Sequence, residues 1–329
     1  MDREGSLPSA DAHATAATQV LLTIDADLAG LSAPDSRNWE ASRERSSGAA
    51  GVDIGYQLRM LAQYALKACF FVDPMPACRF GIDPIRRIVE PIIEAGQEIQ
   101  LRPHPAWMDV RDGRADNPAE LASYGRDAQR TLIARARDLL VEAGVPDPIA
   151  FRGANFSAND DTLSVLAELG FRFDSSHNGH LHPWPSAIGL PRDQIAPVVR
   201  NGVIELPVTV IDDSLGLRDL RISAISHGEM KAAIEHGGVA GLPLVNIVMH
   251  SFELANRAGS APDKVRVRRF ENLCAFLCRE RRRFPTTFFT EIGNIPLDRR
   301  PLPLSSGTVR RWGRMIEQVW SNRPEERWS

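Results

Sequence analysis

Val20-Leu21-Leu22-Thr23-Ile24 is a run of apolar and β-favouring residues that ends in Asp25-Ala26-Asp27, the pattern of a buried strand whose end opens into a cleft. Apolar positions at Ile54, Leu58, Leu61, Ala62 and Ala65 then recur with helical period and predict a helix over 53–66, followed by a strand over 68–72. A helix over 84–95 follows, with Asp83 as N-cap, Pro84 at its first position, Pro91 bending it and Gly96 as terminator. Beyond it the pattern predicts a strand from 98, a helix over 118–143, a strand over 149–152, a helix over 160–169 and a strand over 171–174. The C-terminal half reads as strands over 203–211 and 244–250 with a helix over 228–235 between them, then a helix over 263–282 and a strand over 286–289. Strand and helix alternate about seven times, which argues a parallel sheet, and that number of units favours a closed or nearly closed barrel. The expected organisation is one domain over 20–300, after a disordered lead-in over 1–19. A helical extension is expected over 301–329, where Trp312, Met315, Ile316, Val319 and Trp320 keep helical spacing.

Composition narrows this little. With 329 residues and 43% hydrophobic content the chain can bury a full core, and its net charge of -3 gives no electrostatic reason to expect nucleic acid or an anionic membrane. The run Arg279, Arg281, Arg282, Arg283 lies at a helix end, where cations suit the dipole. The first 19 residues carry no apolar block of signal-peptide length and no later stretch approaches the length of a membrane span, so a soluble, cytoplasmic protein is the expectation. Cys69, Cys78, Cys274 and Cys278 lack zinc-ribbon spacing, and Cys274 and Cys278 read as a reduced core pair on one helix face.

The candidate chemistry falls at predicted strand ends: Asp25 with Asp27, then His104, Arg152, Asp174, and His250 with Glu253. In a parallel barrel these ends share one rim, where active sites sit. Two carboxylates one residue apart share a strand face about 7 Å from each other, and can hold a divalent cation or divide the labour of ligand and general base.

In this order the segments resemble the motifs of the polysaccharide deacetylases of the NodB-homology superfamily (carbohydrate esterase family 4). Thr23-Ile24-Asp25-Ala26-Asp27 is similar to the first motif and Glu98 through Trp107 to a form of the second. Phe151-Arg152-Gly153-Ala154-Asn155-Phe156 resembles the third, Phe171 to Ser175 takes the place of the fourth, and Ile247-Val248-Met249-His250-Ser251 that of the fifth. The resemblance implies a distorted (β/α)7-type barrel that removes an N- or O-acetyl group from a sugar or polysaccharide intermediate. By the same resemblance Asp25 would be the general base, Arg152 its orienting partner, His250 the general acid and Asp174 the group that keeps the imidazole charged. A divalent metal, most often zinc in the family, would be held by Asp27 and by His104.

The second motif departs from the family. It ordinarily carries two histidines four residues apart, and here those positions are Arg102 and Ala106, which cannot bind zinc. Asp27 and His104 alone fall short of the three protein ligands usual for catalytic zinc, whereas Arg102 can place a fixed cation at the vacated position. Arg102, Asn155, Phe156, Trp107 and Trp184 are the candidate substrate contacts, the tryptophans as stacking platforms. His177, His180 and His182 lie in one loop and are weighed as a sugar-contacting loop or a separate metal site. A deacetylase is the expected activity. The rivals are an inactive barrel that binds glycan or protein, and a hydrolase of another non-peptide C–N bond.

Overall fold

A computed structural model of the chain describes residues 17–26, 50–108 and 119–306. Eight strands form the main sheet: β1 Gln19–Ala26, β2 Cys69–Val72, β3 Glu98–Leu101, β4 Ala150–Phe151, β5 Phe173–Asp174, β6 Val198–Arg200, β7 Val203–Glu205 and β8 Leu244–His250. Their order in space is β8-β1-β2-β3-β4-β5-β7-β6, parallel except for the β6–β7 hairpin. Helices α1 Ile54–Tyr64, α2 Asp83–Glu94, α3 Arg126–Glu142 and α4 Asp160–Glu168 connect β1 through β5. Helix α5 His227–Val239 precedes β8 and α6 Lys264–Arg279 follows it. This is the α/β barrel architecture the alternation predicts, distorted because the pairing does not run all the way round. Among the described residues no helix is long and apolar enough to cross a membrane.

Alternation along the strands sorts the core into two parts. Val20, Leu22 and Ile24 pack outward under the helices in the large cluster, while Leu21 joins Cys69, Phe71, Ala150, Phe173, Leu206 and Phe289 in a smaller one inside the barrel. Above that apolar plug the inward positions turn polar: Thr23 and Asp25 on β1, Asn246 on β8, and Arg102, Arg152 and Ser175 just past β3, β4 and β5. The open side between β7 and β8 is bridged by the chain over 206–221. Thr209 donates its amide to Asn246 O at 3.1 Å, Val248 donates to Leu220 O at 3.0 Å, and the Asn246 side-chain amide donates to Leu206 O and Pro207 O at 3.1 and 3.3 Å.

Several boundaries differ from the sequence reading. The strand expected over 203–211 is broken, because after Glu205 the chain leaves the sheet to cross to β8 and only Val210–Asp212 pairs again, in a small sheet with Leu217–Asp219 and Leu304–Ser305. Residues 286–289 contribute one bridge, Thr286 with Val20, and then a single turn of 3-10 helix that sends Phe289 into the barrel floor. Asp83 lies inside the first turn of α2 rather than capping it. The extension after 301 starts as a strand, Leu304–Ser305, and the helix expected at Trp312 to Trp320 lies outside the described residues, as does the lead-in before 17. Cys69 and Cys274 are buried, Cys278 is half-buried, and none of the four cysteines forms a disulfide among the described residues.

Candidate active site

Register brings the candidate residues together. Asp25 on β1 pairs in sequence register with His250 on β8 and with Phe71 on β2, so the carboxylate and the imidazole leave the sheet side by side at the same height. Arg152, the residue after β4, reaches back across the interior. Its Nη1 donates to Asp25 Oδ1 at 2.7 Å, Nη2 donates to Thr23 Oγ1 and Ser175 Oγ at 2.9 Å, and Nε donates to Ser175 O at 3.1 Å. The guanidinium lies over Phe71, 4.2 Å from the ring centroid. Arg102, the residue after β3, places Nε 3.2 Å from Asp25 Oδ2, two charges facing each other without the alignment of a hydrogen bond.

Asp25 is 1% exposed. Burial alone would raise its carboxyl, but the positive charges of Arg102, Arg152 and His250 outweigh that and hold it well below the usual carboxylate range. It is a fixed anion with one oxygen bonded to Arg152 and the other, Oδ2, without a hydrogen bond, 3.8 Å from His250 Nε2. That gap is too long for a direct bond, yet an oxygen atom about 2.8 Å from each would complete a triangle with them. His250 keeps its other nitrogen, Nδ1, 3.7 Å from Glu253 Oε1, which accepts from Ser223 Oγ at 2.7 Å. Burial works to raise the Glu253 carboxyl, and His250, Arg221 and Ser223 more than offset it, so the group behind the imidazole is an anion.

Asp174 does not take the part the motif order gave it. A strand side chain changes face with every residue, and Asp174 stands level with Phe151 and Glu205 on the helix-facing side of the sheet. Its Oδ1 accepts from Ser176 Oγ at 2.7 Å, and it shares a buried carboxyl contact with Glu205. The acid beside His250 is Glu253, a residue visible as a strand-end acid in the sequence but without a role there. Ser175, one step on, is the inward residue and braces Arg152.

The loop after β4 is built tightly. A Cβ on Gly153 would stand 2.0 Å from Ser157 O, and Asn155 and Phe156 both adopt left-handed backbone, with φ of 54° and 60°. This folds the Phe156 ring inward, 2% exposed, with Arg152 and Arg221 at 5.4 and 5.8 Å from its centroid. Phe156 is therefore a packing floor for guanidinium groups and not an open substrate contact. Asn155 points outward and donates to Glu120 Oε1 at 3.2 Å.

Solved structures of known proteins share this architecture. A polysaccharide-deacetylase candidate from Mycobacterium smegmatis superposes with a TM-score of 0.51 at 19% identity, covering 80% of this chain and 84% of that one. The Puue allantoinase gives 0.52 at 14% identity, covering 85% and 90%. A 4-α-glucanotransferase from Thermococcus litoralis gives 0.53 at 11% identity, covering 84% of this chain and 40% of that one. The chain has the deacetylase-type barrel fold. No protein-family model matches the sequence, and neither does any curated protein. The resemblance read from the motifs is thus borne out as a fold, while chemistry on this deacetylase-type barrel has to be read from its own residues.

The metal expected from the resemblance finds a poor seat here. His104 Nδ1 is 2.9 Å from Asp73 Oδ2, and Nε2 faces Arg102 Nη1 at 3.5 Å, so a cation approaching that nitrogen would meet a guanidinium. Among the described residues no three His, Cys, Asp or Glu side chains converge, and Asp27 lies outside them. The described donors do not fit a zinc ion. The three loop histidines also go separate ways, each to its own backbone carbonyl: His177 Nε2 to Pro191 O, His180 Nδ1 to Leu217 O and His182 Nδ1 to Ser186 O, at 3.0, 2.7 and 3.1 Å. Trp107 is 1% exposed and packs edge-on against Phe80, which makes it core and not a stacking platform. Trp184 is 54% exposed on its loop and remains open for such a role.

Proposed function

We propose that the chain is a hydrolase that removes an acetyl group from a sugar or polysaccharide intermediate. The observation that carries this reading is Asp25 Oδ2, an ionised oxygen with no hydrogen bond, facing His250 Nε2 within a ring of guanidinium groups. Asp25 takes a proton from water as the water oxygen adds to the acetyl carbonyl carbon. The negative charge that develops on the carbonyl oxygen faces Arg102, a fixed cation where the family's second motif would have a histidine. His250 gives its proton to the departing nitrogen or oxygen, the C–N or C–O bond breaks, and acetate and the free amine or hydroxyl leave. Arg152 does not touch the substrate; it holds Asp25 in place.

Acetate release from N-acetylated and O-acetylated oligosaccharides tests this. Asp25→Asn is expected to lower kcat by roughly 10²- to 10⁴-fold, and treatment with a chelator is expected to leave the rate unchanged. Absence of release from both substrate types, with and without added zinc, would favour the barrel that binds without turnover. The likeness to an allantoinase fold supports a second reading, hydrolysis of a C–N bond in a small ureide by the same Asp25 and His250. Release of product from a ureide but not from any acetylated sugar would select it.

A further inference from the structure

His104 has no part in the steps above, yet it is held on both of its ring nitrogens. It lies two residues beyond Arg102, past the end of β3, and Asp73, the residue after β2, stands beside it. Asp73 is buried and turns both oxygens to this corner. Oδ1 accepts from Met75 N at 3.0 Å and from His104 N at 3.2 Å, and Oδ2 lies 2.9 Å from His104 Nδ1. A carboxylate only accepts, so the proton of a neutral imidazole here sits on Nδ1 and Nε2 is left as an acceptor.

That acceptor meets a donor. Nε2 faces Arg102 Nη1 at 3.5 Å, the long end of a hydrogen bond, and a proton on Nε2 would turn the contact into two N–H groups facing each other. Arg102 in turn sets Nε 3.2 Å from Asp25 Oδ2, without the alignment that would fix the plane of the guanidinium. Arg102 is 1% exposed, so protein groups and not solvent set its angle. Asp73, His104, Arg102 and Asp25 thus form one line across the pocket. We propose that His104, oriented by Asp73, is the positioning residue for Arg102: it takes one N–H of the guanidinium and turns the cation toward Asp25 and toward the carbonyl oxygen that gains charge. Where the resemblance would give this imidazole a metal, the described residues give it a guanidinium. The catalytic half of this statement rests on the proposed hydrolysis; the tautomer and the His104–Arg102 bond do not.

Nitrogen-15 NMR of the imidazoles, on the full chain in mildly alkaline buffer, reads the tautomer, and the signals missing from His104→Ala assign it. The native protein is expected to show His104 protonated at Nδ1 and bare at Nε2. Arg102→Gln is expected to move the Nε2 resonance and leave Nδ1 protonated. Asp73→Asn keeps the size of the side chain but turns an NH2 to Nδ1, and is expected to send the proton to Nε2. On an acetylated sugar that is turned over, Asp73→Asn and His104→Ala are each expected to lower kcat about ten-fold with KM within about two-fold, and to add nothing to the loss in an Arg102→Gln background. A proton on Nε2 of the native protein would overturn the proposal, as would an Nε2 resonance unmoved by Arg102→Gln or additive losses in the double variants. If the variants do not fold, the native tautomer decides alone. A bare Nε2 that responds to Arg102→Gln, with no acetylated sugar turned over, would sink the deacetylase reading and leave the His104–Arg102 bond standing.

Discussion

Asp25 keeps its charge where a lone carboxylate would give it up, because two guanidinium groups and an imidazole surround it. Breaking such a cluster by removing one member leaves the others buried and uncompensated, which is why the central acid matters to stability as well as to chemistry. Glu253 occupies the outer position of the same line, behind the imidazole. Glu253→Gln keeps the shape and removes the charge, and is expected to lower kcat about ten-fold while KM stays within about two-fold, as steady-state kinetics on an active substrate would show. The inward-facing members, Asp25, Arg152 and His250, were legible because strand alternation and strand ends are written in the hydrophobic pattern. Asp174 was misplaced by one residue, since the sequence marks where a strand ends but not which face its last side chain takes. Trp107 and Phe156 were misjudged for a related reason: aromatic rings suit a sugar face and a core equally, and only packing decides.

Among the elements, the runs that bury on both faces were the clearest, β1 and β8 above all. The break after Glu205 was not legible, because residues 203–211 stay apolar while the chain changes course to reach β8. β7 ends at Glu205, whose carboxyl pairs with that of Asp174 at the end of the neighbouring β5. Burial, and then Asp174, raise the Glu205 carboxyl well above its ordinary value of 4.5, and burial raises that of Asp174. Glu205 Oε1 accepts from His177 N at 3.0 Å, and Oε2 has no donor, as suits a proton shared between the two acids. A carboxyl whose folded-state pKa lies above its unfolded one holds its proton more tightly in the folded chain. Its contribution is complete below the unfolded value and is lost as pH rises through the folded one. Glu205→Gln keeps an acceptor for His177 and gives Asp174 a permanent donor. Thermal melts from pH 5 to 9 are expected to show little difference at the acid end and a growing advantage of the variant toward the alkaline end.

At the scale of the whole molecule, the barrel is closed by single bonds where a complete one would have a strand. The Asn246 amide donates to Ser175 Oγ at 2.9 Å as well as to Leu206 O and Pro207 O, so one side chain joins β8 to the crossing segment and to the residue that braces Arg152. Asn246→Ala strands buried acceptors on both sides and is expected to cost about 2 to 3 kcal/mol, read by denaturant unfolding. It is also expected to lower activity, through the loosened Arg152. None of this was visible in the sequence, where Asn246 is one polar residue in an apolar run and its partners lie on a segment without helical or strand period.

β1 has β2 on one side and β8 on the other, and its register with β8 runs from Gln19 with Leu244 to Asp25 with His250. A chain growing from its N-terminus makes the first of these strands more than two hundred residues before the second. During synthesis this buried, largely apolar strand therefore carries an open edge until residue 250 has cleared the ribosome. The pocket, which needs both strands, cannot assemble before then.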